Sequence, residues 1–208
     1  MPHPRFYKLA EAKRLQILEV AAQEFAAAGF ADASLNRILE RAAMSKGAAY
    51  YYFEDKADLF VTVIGYCSEQ LHLIAEEVDP AQLDAATFWP TFAELHRQPL
   101  LRSYAQPWLF GALKAAGRLP RELRERGPLA AFAARLTAYT LNLLHHGQSL
   151  GIIRTDLADE LLFAWIEGLD SASDDWLLSH WKELDLAAIA HISDMTVEAM
   201  RRAIAPTG

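Results

Sequence analysis

Between residues 34 and 56 the sequence gathers side chains suited to gripping a polyanion. Lys46 offers a point charge for a phosphate or a guanine edge, and Gly47 beside it lets a backbone approach closely. Tyr50 and Tyr51 carry hydroxyls at the far end of rigid aromatic arms. Ser34, Ser45 and Lys56 each fall where a helix is predicted to begin, and there free N–H groups and the helix dipole favour a phosphate oxygen. Tyrosines that merely pack a helix, with the lysines solvated, would supply the same residue types. Their spacing within the surrounding elements therefore carries the argument.

Those elements read as helices. Leu15, Leu18, Ala22 and Phe25 form a stripe at 3/4 spacing over residues 10–28, and Gly29 stands where a helix would end. Ser34 is the predicted cap of a very short helix reaching about Arg41, and Ser45 caps another reaching about Tyr51. Only Ala42, Ala43 and Met44 separate the two. A helix followed by two short helices about a tight turn is the helix-turn-helix arrangement, whose second short helix fits the major groove of DNA. Asp55, with Asp58 three residues on, caps a long helix with the face Phe60, Val63, Ile64, Cys67, Leu71, Ile74 and Val78.

Beyond Pro80 the pattern stays helical, with predicted helices at about 82–97, 100–116, 120–126, 129–150, 157–179 and 186–204. Ala (37) and Leu (30) outweigh the 23 Val, Ile and Thr residues, which also argues for an all-α chain. The expected organisation is a three-helix helix-turn-helix head, residues 1–57, and a larger helical body, residues 58–208. The net charge of −7 argues against nucleic-acid binding only until it is divided. Residues 1–60 carry eight basic and eight acidic groups, whereas residues 61–208 carry twelve and nineteen. Phosphate binding follows local potential, so the neutral head stays a candidate and the acidic body does not. Between residues 154 and 200, eleven acids face two basic residues, which should turn the body away from DNA. The single Cys67 permits no internal disulfide, no apolar run is long enough for a bilayer, and the expected location is cytoplasmic.

The stretch Arg14 to Phe60 resembles the DNA-binding domain of the TetR family of bacterial regulators. The matching pieces are RLQILEVAAQEFAAAGF and SLNRILERAAMSKGAAYYYFEDKADLF, and GIIRTDL at 151–157 is similar to the family's lead into its penultimate helix. Position by position, the resemblance implies that Ser34 caps the first short helix on a phosphate and that Asn36 and Arg37 reach bases or backbone. It makes Ser45, Lys46, Gly47 and Ala48 the leading edge of the recognition helix, with Tyr50, Tyr51 and Lys56 on phosphates. Three residues depart from the family pattern: Ala43 stands for the usual turn glycine, Ala49 for leucine and Tyr52 for histidine. Ala43 is expected to take a compact turn outside the left-handed region, and Ala49 to loosen the head unless the bulk of Tyr52 compensates.

In the body, a small-molecule pocket is expected among Cys67, Trp89, Phe92, His96, Trp108, Tyr139, Asn142 and His146, apolar walls with a few polar groups. Core packing accounts equally well for any one of them. Leu161, Trp165, Leu169 and Trp176, then Ile189, Ile192, Met195 and Ala199, recur at helical spacing as two stripes. The resemblance implies that these helices pair across a two-fold axis with a second copy. Asp170, Asp174 and Asp175 are expected near solvent on the remaining face. Glu69 to His72 is the one Glu-x-x-His found, where a di-iron centre needs two, so no metal, cofactor or catalysed reaction is expected. The basic residues Arg118, Arg121, Arg124 and Arg126 interleave with Glu122 and Glu125 as a solvated face would. The function implied is a ligand-responsive repressor, a homodimer on a pseudo-palindromic DNA operator, released by a lipophilic or aromatic effector. The alternative is a helical small-molecule-binding protein or enzyme that has lost DNA binding.

Overall fold

The structure, a computed structural model, describes residues 2–71, 78–117, 119 and 127–206. Its helices are α1 (Glu11–Asp32), α2 (Leu35–Arg41), α3 (Lys46–Tyr52), α4 (Lys56–Leu71), α5 (Phe88–Arg102), α6 (Pro107–Gly117), α7 (Gly127–Ser149), α8 (Asp159–His180) and α9 (Leu186–Ala203). No strand occurs among the described residues, as the composition implied. The predicted helix 120–126, Ile74 of the long-helix face, His72 of the Glu-x-x-His pair, and the basic residues from Arg118 to Arg126 lie outside the described residues.

Two compact units result, Met1–Leu73 with Gln106–Ala133, and Ile74–Ala105 with Ala134–Gly208. In the first, α4 and α6 pack on α1 and on each other, and α2 joins α1 and α3. Its core is built on Phe25, Phe60, Ile17, Ile38 and Leu59, all essentially inaccessible to water. Phe60 meets Phe25 edge-on at 4.8 Å between ring centres and Phe30 at 5.2 Å. In the second unit, α9 packs against α5 and α8, and the core gathers around Phe88, Leu144, Ile153, Leu162 and Ile204.

Local signals place the helix starts. Ser34 Oγ accepts from Arg37 N–H, Ser45 Oγ from Ala48 N–H and Asp185 Oδ1 from Ala188 N–H, each satisfying a donor that the first turn leaves open. Asp55 Oδ1 likewise accepts from Asp58 N–H at 2.8 Å. The prolines are less obedient. The pattern predicts a break between 97 and 100, at Pro99, yet α5 runs through it to Arg102. Proline removes one N–H from the ladder, and burial of Pro99 and Leu100 holds both sides of the interruption together. The same helix begins at Phe88 rather than near 82, because Pro80–Gln82 forms a 3-10 turn and Asp84 Oδ1 accepts from the N–H groups of Ala86 and Thr87.

Two turns in the head demand unusual backbone. Gly29 has φ 69° and ψ 177°, a region that only glycine occupies readily, and it breaks α1 there before a final turn to Asp32. Ala43 has φ 47°, against the expected compact turn outside the left-handed region. The reason is the hydrogen bonding after α2: Ala43 N–H donates to Glu40 O and Met44 N–H to Leu39 O. That pair of bonds is a Schellman ending, which requires a left-handed residue between them. Lys13 Nζ, 2.6 Å from Ala42 O, clamps the same turn from α1. Ala43→Gly is therefore expected to stabilise the protein by about 0.5–1 kcal/mol, relief of left-handed strain outweighing the extra freedom of the unfolded chain. Thermal unfolding checks it, and a lowered Tm would contradict it.

Candidate nucleic-acid interface

The α2–α3 turn leaves one side of α3 in solvent. Ser45, Lys46 and Gly47 are exposed, and Tyr50 and Tyr51 keep 57% and 51% of their surface accessible, far more than packing residues would. Nothing lies within 4 Å of where a Cβ on Gly47 would stand, so that edge of the helix is open to an incoming backbone. Ala48 is half-buried beside it, and Asn36 projects to solvent from α2. The structure thus brings Asn36, Ser45, Lys46, Gly47, Ala48, Tyr50 and Tyr51 onto two adjoining short helices.

Three of the expected contact residues also make bonds within the head. Ser34 is half-buried, and its hydroxyl caps α2. The guanidinium of Arg37 turns back to Glu24, with Nε at 2.9 Å and Nη2 at 2.6 Å from Oε1. Lys56 Nζ donates to Ala31 O at 3.0 Å and Ala33 O at 3.2 Å, over the ring of Phe30 at 4.8 Å. The carbonyls at the end of α1 need donors and attract a cation, which explains why this lysine turns inward.

Glu24 was not foreseen as a positioning residue. Its carboxylate is nearly buried, accepts Arg37 and also accepts Ser34 N–H at 2.9 Å, so it fixes α2 to α1 at the entry to the turn. The bonds from Arg37 and then from Ser34 hold its pKa below the ordinary 4.5. A depressed carboxylate adds stability that is complete above the unfolded value and is lost as pH falls through the folded one. Glu24→Gln is expected to lower Tm at pH 7, and the gap from wild type should close on acidification below about pH 4.5. A gap that persists unchanged at low pH would contradict this.

Ala49 is buried and, with Leu35, Leu39 and Met44, borders a void of about 10 Å³. The bulk of Tyr52 does not fill it. Tyr52 packs instead on Phe6, 6.2 Å away between ring centres.

The body residues divide between the two units. Cys67 and Trp108 belong to the first, where Cys67 is wholly buried and burial pushes its thiol pKa up to about 12. In the second unit Trp89 and Phe92 line a cavity of about 20 Å³ with Phe88, Leu143, Ile153 and Ile204. Asn142 is exposed and does not join them. His146 Nε2–H donates to Leu83 O at 2.7 Å and Tyr139 hydroxyl to Val78 O at 3.4 Å, so both are tied to backbone. His145 points elsewhere, to Asp159 at 2.8 Å, as adjacent helical residues must.

His96 lies between Ser193 Oγ at 2.6 Å and Asp170 Oδ1 at 3.0 Å. The order resembles a chain that activates a serine nucleophile, but Ser193 is fully buried, so no substrate carbonyl reaches it. The chain ties α5 to α8 and α9. Asp174, expected near solvent, is also buried, and α8 continues unbroken past it. Among the described residues no three His, Cys, Asp or Glu side chains are grouped to hold a metal ion, and no helix is long and apolar enough to cross a membrane.

On the faces of α8 and α9, Leu161, Trp165, Trp176 and Met195 keep between 38% and 54% of their surface exposed. Ala199 is exposed beside them, and Leu169 and Ile192 are half-buried. Ile189 corrects the expected stripe: it is fully buried in the second unit and is unavailable to a partner.

An all-α chain whose short third helix stands exposed after a tight turn defines a helix-turn-helix protein. Residues 17–63 match the family described as bacterial regulatory proteins, tetR family. The HTH-type transcriptional repressor Rv1474c of Mycobacterium tuberculosis is 25% identical over 92% of this chain and 94% of that protein. The HTH-type transcriptional regulator AcrR of Shigella flexneri is 41% identical over 24% of each chain. The crystal structure of a TetR family transcriptional regulator from Chloroflexus aurantiacus superposes with a TM-score of 0.68 at 23% identity, over 99% of both chains. The head is thus similar to the DNA-binding part of tetR-family regulators, and the chain as a whole shares the fold of the Chloroflexus protein.

Proposed function

We propose that the protein is a homodimeric repressor that reads a pseudo-palindromic DNA operator through α3 and is released by a small lipophilic or aromatic effector. Residues 1–57 serve DNA binding, and residues 58–208 serve effector binding and dimerisation. The observation that carries this reading is the outward face of α3, where two half-exposed tyrosines stand beside exposed Ser45 and Lys46 and the open edge at Gly47. Phosphates would accept from Lys46 and the tyrosine hydroxyls, and base edges would meet the open start of α3 near Gly47.

The effector reading rests on the apolar walls around Trp89 and Phe92. The cavity there, about 20 Å³, holds about one water, whereas ligand pockets run to roughly 300–1,000 Å³. An effector must therefore part α5 from its neighbours, and that displacement is the means by which binding would alter the dimer. A coupling of about 1–3 kcal/mol would change operator affinity roughly 5–150-fold.

Selection of bound duplexes from a random DNA library, followed by mobility shift, tests the reading. A consensus of two inverted half-sites is expected, and Lys46→Ala should weaken binding about tenfold or more without lowering Tm. The absence of any enriched sequence at low salt would refute it.

A further inference from the structure

The segment before α1 lies against the recognition helix. His3 N–H donates to Tyr52 O at 2.8 Å, and the Phe6 ring, 1% exposed, sits 4.8 Å from the ring of Phe53. Phe6 N–H bonds to His3 O, Lys8 N–H to Arg5 O and Leu9 N–H to Phe6 O, so the segment is ordered turn by turn. This seat uses Tyr52, one of the residues at which the chain departs from the family pattern. Anchored in this way, Arg5 places its guanidinium carbon 4.1 Å from the centre of the Tyr51 ring.

From this arrangement we infer that Arg5 is a DNA-contacting residue, binding the backbone phosphate next to the one that meets Tyr51. The inference rests on the reading of α3 as the DNA-binding helix. Stacking engages the flat face of a guanidinium and leaves its N–H donors, which lie in the plane, directed outward. Among the described residues those donors meet no protein acceptor, unlike the cations of Lys13, Arg37 and Lys56, which bond acceptors of the head itself. Arg5 is exposed beside an exposed tyrosine, and the pinned backbone means little freedom is lost when a phosphate arrives. The contact is sequence-neutral, since a phosphate carries no base information.

Fluorescence anisotropy of wild type, Arg5→Ala and Phe6→Ala, on a library-selected duplex and on a random-sequence duplex across a salt series, decides the matter. Arg5→Ala should weaken binding to both duplexes by a similar factor of about tenfold and reduce the slope of log K against log salt by about 0.9. Phe6→Ala, which releases the segment, should reproduce part of that change. An unchanged slope, with or without lost affinity, would overturn the proposal, because it would leave Arg5 only bracing Tyr51. A loss confined to the selected duplex would also overturn it, in favour of a base contact. If wild type showed no preference for the selected duplex, the operator reading would fail while the slope on random DNA still tested Arg5.

Discussion

Trp165→Glu is expected to turn the protein into a monomer at micromolar concentration. Trp165 shows 38% of its surface, and Leu161, one turn earlier on the same face of α8, shows 41%. Met195 on α9 is the most exposed of this group at 54%. A two-fold interface uses the same patch twice, so any change enters it twice. Burying the exposed part of both Trp165 side chains is worth about 4 kcal/mol at ~25 cal/mol/Å², or on the order of a 1,000-fold change in the dimer constant. Introduced carboxylates would then face apolar surface and one another, which adds to the loss. Sedimentation equilibrium reads the result directly. The operator complex should weaken with it, because a single head engages one half-site. A wild type that sediments as a monomer, or a variant that stays dimeric, would sink the assignment. Ile189→Glu is unsuitable as a test, since Ile189 is buried within its own chain and its loss would unfold the second unit.

The second large effect lies in the first unit. Phe60→Ala is expected to cost about 3–5 kcal/mol through lost burial and the cavity that remains. Phe60 is 1% exposed and touches Phe25 at 84° between ring planes and Phe30 at 66°, so its ring joins α4 to both arms of α1 around the Gly29 break. Edge-to-face contacts of this kind add about 0.5–1.5 kcal/mol beyond area alone. Against a typical total of about 5–15 kcal/mol, that is a large share. Tm should fall by about 8–16 °C for a chain of this size, as followed by circular dichroism. Phe60→Leu, which keeps most of the volume, should recover a good part of the loss. A fall of only a few degrees for the alanine variant would mean that the ring cluster does not hold the head together.

These expectations draw on different layers of information. The exposed chemistry of α3 was legible because Ser45, Lys46, Gly47, Tyr50 and Tyr51 lie within one short helix, where side-chain placement follows from spacing. Arg5 and Glu24 were not. Glu24 meets Arg37 thirteen residues away, and Arg5 reaches a ring forty-six residues away, with no local pattern marking either pair. The bonds that Arg37 and Lys56 make within the head are illegible for the same reason. A cation in a sequence carries no sign of which acceptor the fold will bring to it.

The helices and most of their starts follow from local sequence. Caps such as Ser34, Ser45, Asp55 and Asp185 act over three residues, and a helical period needs only a few turns to declare its apolar face. Packing between helices sets which residue of a stripe goes inward, as with buried Ile189 against exposed Met195, and whether Pro99 ends a helix or is carried through it. The tertiary structure also puts Ala43 in a left-handed conformation and makes Tyr52 a seat for Phe6. Hydrogen bonds inside a turn are settled by neighbours in the chain. The partner of a ring, a carboxylate or an ammonium is settled by which helices meet, and that depends on burying all their apolar faces at once.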